Sequence, residues 1–254
     1  MNGIFQLLSA SRYSSDESDR TRGPVALNLI ATVSAVPIQS SESVMPIIRI
    51  PQLTNLEALP RYAGLAPERI FIPATRNALD QALSKISTFK YVGFDTESKP
   101  TFRVGEVSTG PHLIQIATPE AAYLFQVGVE GCVDAVKAVL ESNRIMKVGF
   151  GLSSDRSRLC SRLDVELRQF IDLGTTLRYQ GKKGQVGLRG AVAAVLGTRV
   201  SKSRSVSTSN WANRTLTGAQ RNYAANDAYA ALEVFLALGE APEQLLADRI
   251  MPAQ

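Results

Sequence analysis

The chain has 254 residues, 44% of them hydrophobic, which is enough to bury the core of one substantial domain. Charged residues make up 20% of the chain, and no run of about 18 apolar residues occurs, which argues against a membrane-spanning helix. The net charge is +5, but residues 144–214 carry a local excess of basic residues that favours a phosphate-rich partner, although such a region can also be solvated surface.

The N-terminal segment, residues 1 to about 45, is rich in Ser and shows no sustained periodicity, which predicts a mobile extension. It lacks the basic start and apolar stretch of a secretory signal, and its acids, among them Asp16 and Asp19, argue against a transit peptide. Met45 is an alternative native start. Four prolines between residues 46 and 67 then predict an extended, turning lead-in.

The two cysteines, Cys132 and Cys160, are far apart and outside any spacing that binds a metal. Isolated cysteines of this kind are typical of a reducing compartment. We therefore expect both thiols to be packed in the core and the protein to be cytoplasmic.

Regular structure is predicted from Ile70 onward. A short strand, 70–72, precedes a helix that Thr75 caps, and three strand-like runs separated by turn residues then predict a meander over 91–95, 113–117 and 123–127. A helix over 133–140 and a strand over 146–150 follow. Helical periodicity dominates the remainder, over 154–163, 188–196 and 217–238. This order predicts an α/β fold, a mixed sheet with helices packed on it.

Three acidic motifs stand at the ends of these elements. Asp95 and Glu97 are two residues apart on a strand, so their side chains project from one face and can share a metal ion. Asp155 falls in the first turn of a helix, where the helix dipole favours a carboxylate with or without a metal. Tyr223 and Asp227 are four apart on a helix, which places both on one face. Each motif alone has an ordinary structural explanation.

Taken in order, Asp-x-Glu, a later Asp and a final Tyr-x-x-x-Asp resemble the DEDD exonucleases of the ribonuclease H-like fold. The resemblance is to the tyrosine branch (DEDDy), which includes ribonuclease D and the exonuclease of Werner helicase. It extends to residues 111–117 and to Ser209-Asn210-Trp211 with Gln220. It implies a ribonuclease H-like mixed sheet, a three-stranded meander plus further parallel strands, in an exonuclease domain over 67–240. Residues 1–66 would be extension and lead-in, and 241–254 a tail.

The resemblance also implies an activity: hydrolysis of phosphodiester bonds from the free 3′ end of DNA or RNA, releasing nucleoside monophosphates. Two divalent ions, Mg²⁺ or Mn²⁺, roughly 3.5–4 Å apart would stabilise the attacking and leaving oxygens. By analogy Asp95 bridges both ions, Glu97 and Asp227 complete the first site, and Asp155 holds the second. Tyr223 would orient the attacking water. The only histidine, His112, lies on the second strand of the meander and is expected to be structural or on the surface.

Basic residues of two loops are candidates for phosphate contact: Lys182, Lys183, Lys202 and Arg204. Lys202 matches a lysine that family members often carry after a Leu-Gly pair. The sole tryptophan, Trp211, is expected to pack under the last helix. With no helicase motif and no helical domain after the catalytic one, we expect a stand-alone exonuclease.

Two other functions are compatible with parts of this pattern. One is a nucleic-acid-binding module with a decayed catalytic centre, which the presence of all four acids and the tyrosine argues against. The other is a magnesium-dependent phosphatase with an aspartyl nucleophile. That enzyme needs Asp or a small hydroxyl residue at the second acidic position, so Glu97 argues against it and Tyr223 is left without a role.

Overall fold

The computed structural model of the protein describes residues 47–103, 105–201 and 203–239. The predicted extension with Met45, the predicted tail 241–254 and Lys202 lie outside these residues. The described lead-in contains strand β1 (Ile48–Ile50) and two 3₁₀ turns, Leu56–Ala58 and Pro67–Arg69, and leads into β2 (Ile70–Phe71).

The first helix, α1 (Arg76–Ile86), begins at the predicted cap. The hydroxyl oxygen of Thr75 accepts a hydrogen bond from the backbone N–H of Ala78 at 3.3 Å. This satisfies one of the amide groups that a helix start leaves without a partner. The apolar face of α1, with Leu79 and Ile86, is buried.

The elements that follow alternate between strands and helices. The meander is formed by β3 (Tyr91–Glu97), β4 (Leu113–Ala117) and β5 (Ala122–Gln126), as predicted. Next come α2 (Cys132–Leu140), β6 (Met146–Gly149), α3 (Leu152–Leu163), β7 (Phe170–Asp172), α4 (Leu173–Thr176) and β8 (Leu177–Tyr179). The described chain ends with α5 (Leu188–Ala191), which continues as a π-helical turn over Val192–Leu196, then α6 (Arg204–Ser207) and α7 (Gly218–Ala237).

Six strands form one mixed sheet in the order β2-β5-β4-β3-β6-β7. The β3–β4 and β4–β5 pairs are antiparallel, whereas β2–β5, β3–β6 and β6–β7 are parallel. The prediction of a meander extended by parallel strands is therefore confirmed. Strands β1 and β8 form a separate parallel pair.

Helices cover both faces of the sheet. Val92 and Phe94 of β3 are buried in the cluster that contains residues of α1, α2 and α3. On the other face, a Cβ atom at Gly93 would lie 1.9 Å from the carbonyl oxygen of Ala228, so the glycine lets α7 approach the backbone of β3 directly. Because side chains alternate along a strand, Asp95 and Glu97 lie on this second face, under α7.

The lead-in, with its short strand and two 3₁₀ turns, packs on the rest of the fold. Ile50 is buried in a cluster with Val148 and Val234. The hydroxyl of Tyr62 donates a hydrogen bond to Glu233 of α7. The sequence did not indicate these contacts, because proline-rich segments carry no periodicity that would predict packing.

The expectation for the cysteines holds for one of the two. Cys132 is buried, but Cys160 is exposed, so the prediction of a packed thiol is wrong there. The buried residues of α3 are Leu152, Asp155 and Leu159. Cys160 lies beside this stripe on the solvent side of the helix. Within the described part of the chain, no helix combines the length and the apolar character that crossing a bilayer demands.

Candidate active site

Three predicted acids meet where β3 ends beneath α7. One carboxylate oxygen from each of Asp95, Glu97 and Asp227 can be chosen so that all three lie within 4.8 Å of one another. Asp95 and Glu97 come from the same face of β3, and Asp227 comes from α7 above them. The close approach of α7 to β3 at Gly93 brings Asp227 within reach of the two acids of β3.

The start of α7 is fixed by the motif that precedes it. Thr217 and Gln220 form a capping box, in which each side chain bonds the backbone N–H of the other residue. The Gln220 Nε2 group also donates to Ser209 Oγ at 2.9 Å and to the carbonyl of Asn210 at 3.3 Å. Trp211 is buried, as expected, with its ring 6.1 Å from that of Tyr223. These contacts hold in place the helix that carries Tyr223 and Asp227.

Tyr223 is half-buried and hydrogen-bonded to Asp227, one turn further along α7. Burial raises the pKa of its phenol far above the usual value, and the charges of Asp227 and Glu97 raise it further. The hydroxyl therefore stays protonated at neutral pH and donates to the carboxylate. Its place beside the three acids is the one that the sequence predicted.

Asp155 is also near the site, but its hydrogen-bond partner, Thr96, projects from the opposite face of β3. Its carboxylate is buried and accepts a 2.6 Å hydrogen bond from the hydroxyl of Thr96, with Arg158 at 3.9 Å. Its charge contributes to raising the pKa of both Asp95 and Glu97. The sequence did not identify Thr96, although its position between Asp95 and Glu97 already placed its side chain on the other face.

Burial and mutual repulsion make it unfavourable for all of these acids to be ionised together. Burial, followed by the charges of Asp227, Glu97 and Asp155, raises the pKa of Asp95 well above its usual range. Burial, followed by the charges of Asp227 and Asp155, raises the pKa of Glu97 to about 8, and burial raises that of Asp227 to about 6. A bound cation would relieve this repulsion. The all-oxygen donor set suits a hard divalent cation, so these residues fit a metal site.

A cleft of about 650 Å³ opens beside the acids and has both Tyr223 and Asp227 in its wall. Arg204, a predicted phosphate ligand, lines the cleft from α6, and Arg189 lines it from α5. Reasoning from sequence missed Arg189, which lies alone between apolar residues. The one indication of its role in the sequence was its position within the basic region, residues 144–214.

The other predicted basic residues are elsewhere. Lys182 and Lys183 are exposed in the loop between β8 and α5, and neither lines this cleft. The ring nitrogens of His112 are bonded to the backbone N–H of Lys99 and to Thr109, which agrees with the expected structural role.

Comparison with known proteins identifies the family. Residues 70–241, more than half of the chain, match the family described as 3′-5′ exonuclease. Over 158 residues the chain is 35% identical to the bifunctional 3′-5′ exonuclease/ATP-dependent helicase WRN of Mus musculus, a match that covers 61% of this chain and 11% of that protein. The chain spans about half or less of the length of the curated relatives it matches.

Solved structures share the fold. The Nibbler EXO domain of Aedes aegypti has a TM-score of 0.58 at 22% identity, over 72% of this chain and 97% of that one. The RNase D of Trypanosoma brucei, solved in complex with RNA U12, has a TM-score of 0.55 at 19% identity, over 66% of this chain and 62% of that one. These similarities confirm the predicted ribonuclease H-like fold.

The matched residues span the whole candidate site. The three acids that meet under α7, together with Asp155 and Tyr223, all fall within residues 70–241. The family match favours the exonuclease over the phosphatase alternative. The chain belongs to the 3′-5′ exonuclease family.

Proposed function

We propose that the protein is a metal-dependent exonuclease that hydrolyses phosphodiester bonds from the 3′ end of a nucleic acid and releases nucleoside monophosphates. The observation that carries this proposal is the placement of three carboxylates and a neutral phenol beside a cleft lined by two arginines. Carboxylates and cations of this kind are what a phosphodiester substrate and its metal ions require.

The acids are proposed to hold two ions, Mg²⁺ or Mn²⁺. Asp95, Glu97 and Asp227 would hold the first, with Asp95 shared between both, and Asp155 would complete the second. When bound, such ions stabilise the charge on the attacking and leaving oxygens of the phosphodiester. The supporting observations are the mutual proximity of the three carboxylates and the electrostatic influence of Asp155 on two of them.

Asp155 has a support of its own within the chain. The Thr96 hydroxyl donates a 2.6 Å hydrogen bond to one oxygen of the Asp155 carboxylate, which fixes the orientation of that carboxylate. Thr96 thus connects β3, which carries Asp95 and Glu97, to α3, which carries Asp155. A shift of Asp95 and Glu97 would therefore be transmitted to Asp155, and the reverse.

Tyr223 is proposed to orient the attacking water. Its phenol keeps its proton at neutral pH, and its hydroxyl already points to the carboxylate of Asp227. A phenol whose proton is donated to Asp227 keeps a free lone pair, so it can accept a hydrogen bond from a water molecule next to the acids without any change of protonation. Arg189 and Arg204 would hold the substrate phosphates in the cleft, since a guanidinium binds phosphate oxygens in a two-pronged manner.

The substrate is proposed to be DNA or RNA with a free 3′ end. The related Trypanosoma brucei RNase D binds RNA U12, which makes RNA a first choice for the assay. The strong positive charge of residues 144–214, with fourteen Lys or Arg against four acids, supports a polyanionic substrate.

The test is a nuclease assay with end-labelled DNA and RNA of matched sequence, with products sized over time. We expect a ladder that shortens one nucleotide at a time from the 3′ end with Mg²⁺ or Mn²⁺, and no products with a chelator. The same strand with a blocked 3′ end is the matched control. Shortening from the 5′ end, or activity that survives chelation, contradicts the proposal. Tight binding without cleavage would favour the nucleic-acid-binding module.

A further inference from the structure

Gln115 lies at the centre of β4 and directly opposite Asp95 of β3 in the antiparallel register. Its side chain is fully buried. Residues that face each other across an antiparallel pair project from the same side of the sheet, with Cβ atoms about 4.5–5.5 Å apart. Gln115 and Asp95 are therefore side by side under α7.

Neither polar atom of the Gln115 amide has a hydrogen-bond partner among the residues that the structure describes. On the face of the sheet that carries Gln115, the neighbouring side chains are apolar in three directions. Its register partner on the other side is Leu124 of β5, and its neighbours along the same face of β4 are Leu113 and Ala117. In this row of the sheet, Asp95 is the one neighbour of Gln115 whose side chain can accept a hydrogen bond.

A buried amide without a partner is costly. Leaving a buried donor or acceptor unsatisfied destabilises a protein, and such groups are rare enough in folded proteins that each needs an explanation. An apolar side chain of the same size would fill the space at Gln115 without that cost. The polar amide is therefore best explained by a state of the protein in which it is used.

We propose that Gln115 is a positioning residue for Asp95. When the acids hold a cation, the Nε2 group of Gln115 donates a hydrogen bond to the Asp95 carboxylate and fixes its orientation toward the other two acids. Groups that orient a metal ligand in this way change metal affinity or activity by about 10–100-fold when removed. This inference rests on the proposed metal site, but it concerns cation binding and is measurable without a nucleic acid substrate.

The decisive variant is Gln115→Met, which keeps the length and volume of the side chain and removes both polar atoms. We expect the metal-free protein to melt at the wild-type temperature or above it, because an unsatisfied group has been removed. The affinity for Mn²⁺, measured by titration of the protein alone, should fall about 10-fold or more, and kcat should fall with little change in KM. Leu124→Met is the matched control, since it alters the same row on the side away from Asp95, and it should leave Mn²⁺ affinity unchanged.

Two results would overturn the inference. One is a Mn²⁺ affinity of Gln115→Met within twofold of the wild type. The other is a metal-free melting temperature that falls together with the affinity, since that pattern describes a general packing role. A wild-type protein that binds Mn²⁺ but cleaves no nucleic acid would refute the proposed nuclease function, while the Mn²⁺ titration would still decide the role of Gln115.

If the variant fails to fold, the wild-type protein supplies the answer. The side-chain amide signal of Gln115 in a ¹⁵N spectrum, linked to its backbone by triple-resonance experiments, should shift when Mg²⁺ is added. The signal of Gln126, whose amide already donates to the carbonyls of Asn213 and Arg214, is the internal reference and should stay in place. An unmoved Gln115 signal at saturating Mg²⁺ contradicts the proposal.

Discussion

The backbone N–H of Leu65 donates a 3.0 Å hydrogen bond to the side-chain oxygen of Asn226, the residue immediately before Asp227. The approach is close because Gly64 has a positive φ of +65°, and a Cβ atom there would lie 2.2 Å from the same oxygen. About two turns further along α7, Glu233 accepts a hydrogen bond from Tyr62. The lead-in therefore holds α7 at two points that flank Asp227.

We expect Asn226→Ala to destabilise the protein. The change leaves the N–H of Leu65 without its partner, which costs about 1–3 kcal/mol, and each kcal/mol lowers the melting temperature of a chain of this size by about 2–4 °C. Thermal unfolding measures it. Asn222→Ala, an exposed position one turn earlier on the same helix, is the control and should change stability by less than about 0.5 kcal/mol. Equal melting temperatures for the two variants would show that the hydrogen bond between Leu65 and Asn226 does not help to hold α7.

Truncation should separate the predicted extension from the lead-in. Removal of residues 1–45 is expected to leave melting temperature and turnover nearly unchanged, because the composition of that segment predicts a mobile extension. Removal of residues 1–66 should destabilise the protein strongly, because it deletes the buried side chains of Ile50 and Leu65 together with both hydrogen bonds to α7. Similar stability of the two truncations would contradict this division.

The sequence predicted the long periodic elements and the residues that meet at the site. The meander and α7 were predictable because their apolar residues repeat at strand and helix spacing over many residues. Strands β7 and β8 were missed, since three residues are too few to show a period. Thr96, Arg189 and Gln115 were missed for another reason. The role of each depends on a neighbour from another element, which only the strand order and register reveal.

The metal-free protein should lose stability as the pH rises. Burial raises the pKa of Glu97 to about 8 and of Asp227 to about 6, from ordinary values of 4.5 and 3.8. Between the ordinary pKa of each group and its raised pKa, the folded state holds a proton that the unfolded state has already released. The stabilising contribution is therefore complete below about pH 4 and lost as the pH passes 6 to 8, at about 1.4 kcal/mol per pH unit for each proton held.

Melting temperatures from pH 5 to 9 in chelator measure this effect. The slope should be negative in chelator and flatter with Mg²⁺, because a bound cation favours the ionised acids. Asp95→Asn removes one titrating group and should flatten the slope in chelator as well. A melting temperature that rises with pH in chelator would show that the acids are not forced together in the folded protein.

The salt dependence of substrate binding should identify which basic side chains contact the substrate. Each phosphate contact contributes about −0.7 to the slope of log K against log salt for a single strand. Replacing both Arg189 and Arg204 by Ala should therefore flatten the slope by about 1.4. The experiment uses an Asp95→Asn background to prevent cleavage. The double variant of Lys182 and Lys183 has the same loss of charge outside the cleft and should flatten the slope less. The opposite ranking would place the substrate on the loop after β8.

Asp95→Asn and Tyr223→Phe should separate metal binding from water positioning. Asp95→Asn removes a carboxylate from the group of three acids, so turnover should be abolished and Mn²⁺ affinity should fall. The protein should still fold, and its metal-free melting temperature at neutral pH should equal or exceed that of the wild type, because one repelling charge is gone. An active Asp95→Asn variant would remove this residue from the proposed site.

Tyr223→Phe keeps the ring that packs beside Trp211 and removes only the hydroxyl. Turnover should fall by about 10²–10⁴-fold, the range for loss of a positioned polar group, while Mn²⁺ affinity at pH 8 stays near that of the wild type.

The hydroxyl of Tyr223 also lowers the pKa of Asp227 by donating to it, so in Tyr223→Phe that pKa should rise. Mn²⁺ binding by Tyr223→Phe should therefore weaken at a higher pH than in the wild type as the solution is acidified. Titrations at pH 6, 7 and 8 measure both effects. Loss of Mn²⁺ binding at all three values, in step with turnover, would mean that the phenol supports Asp227 and does not orient the water. Full activity would make it a packing residue.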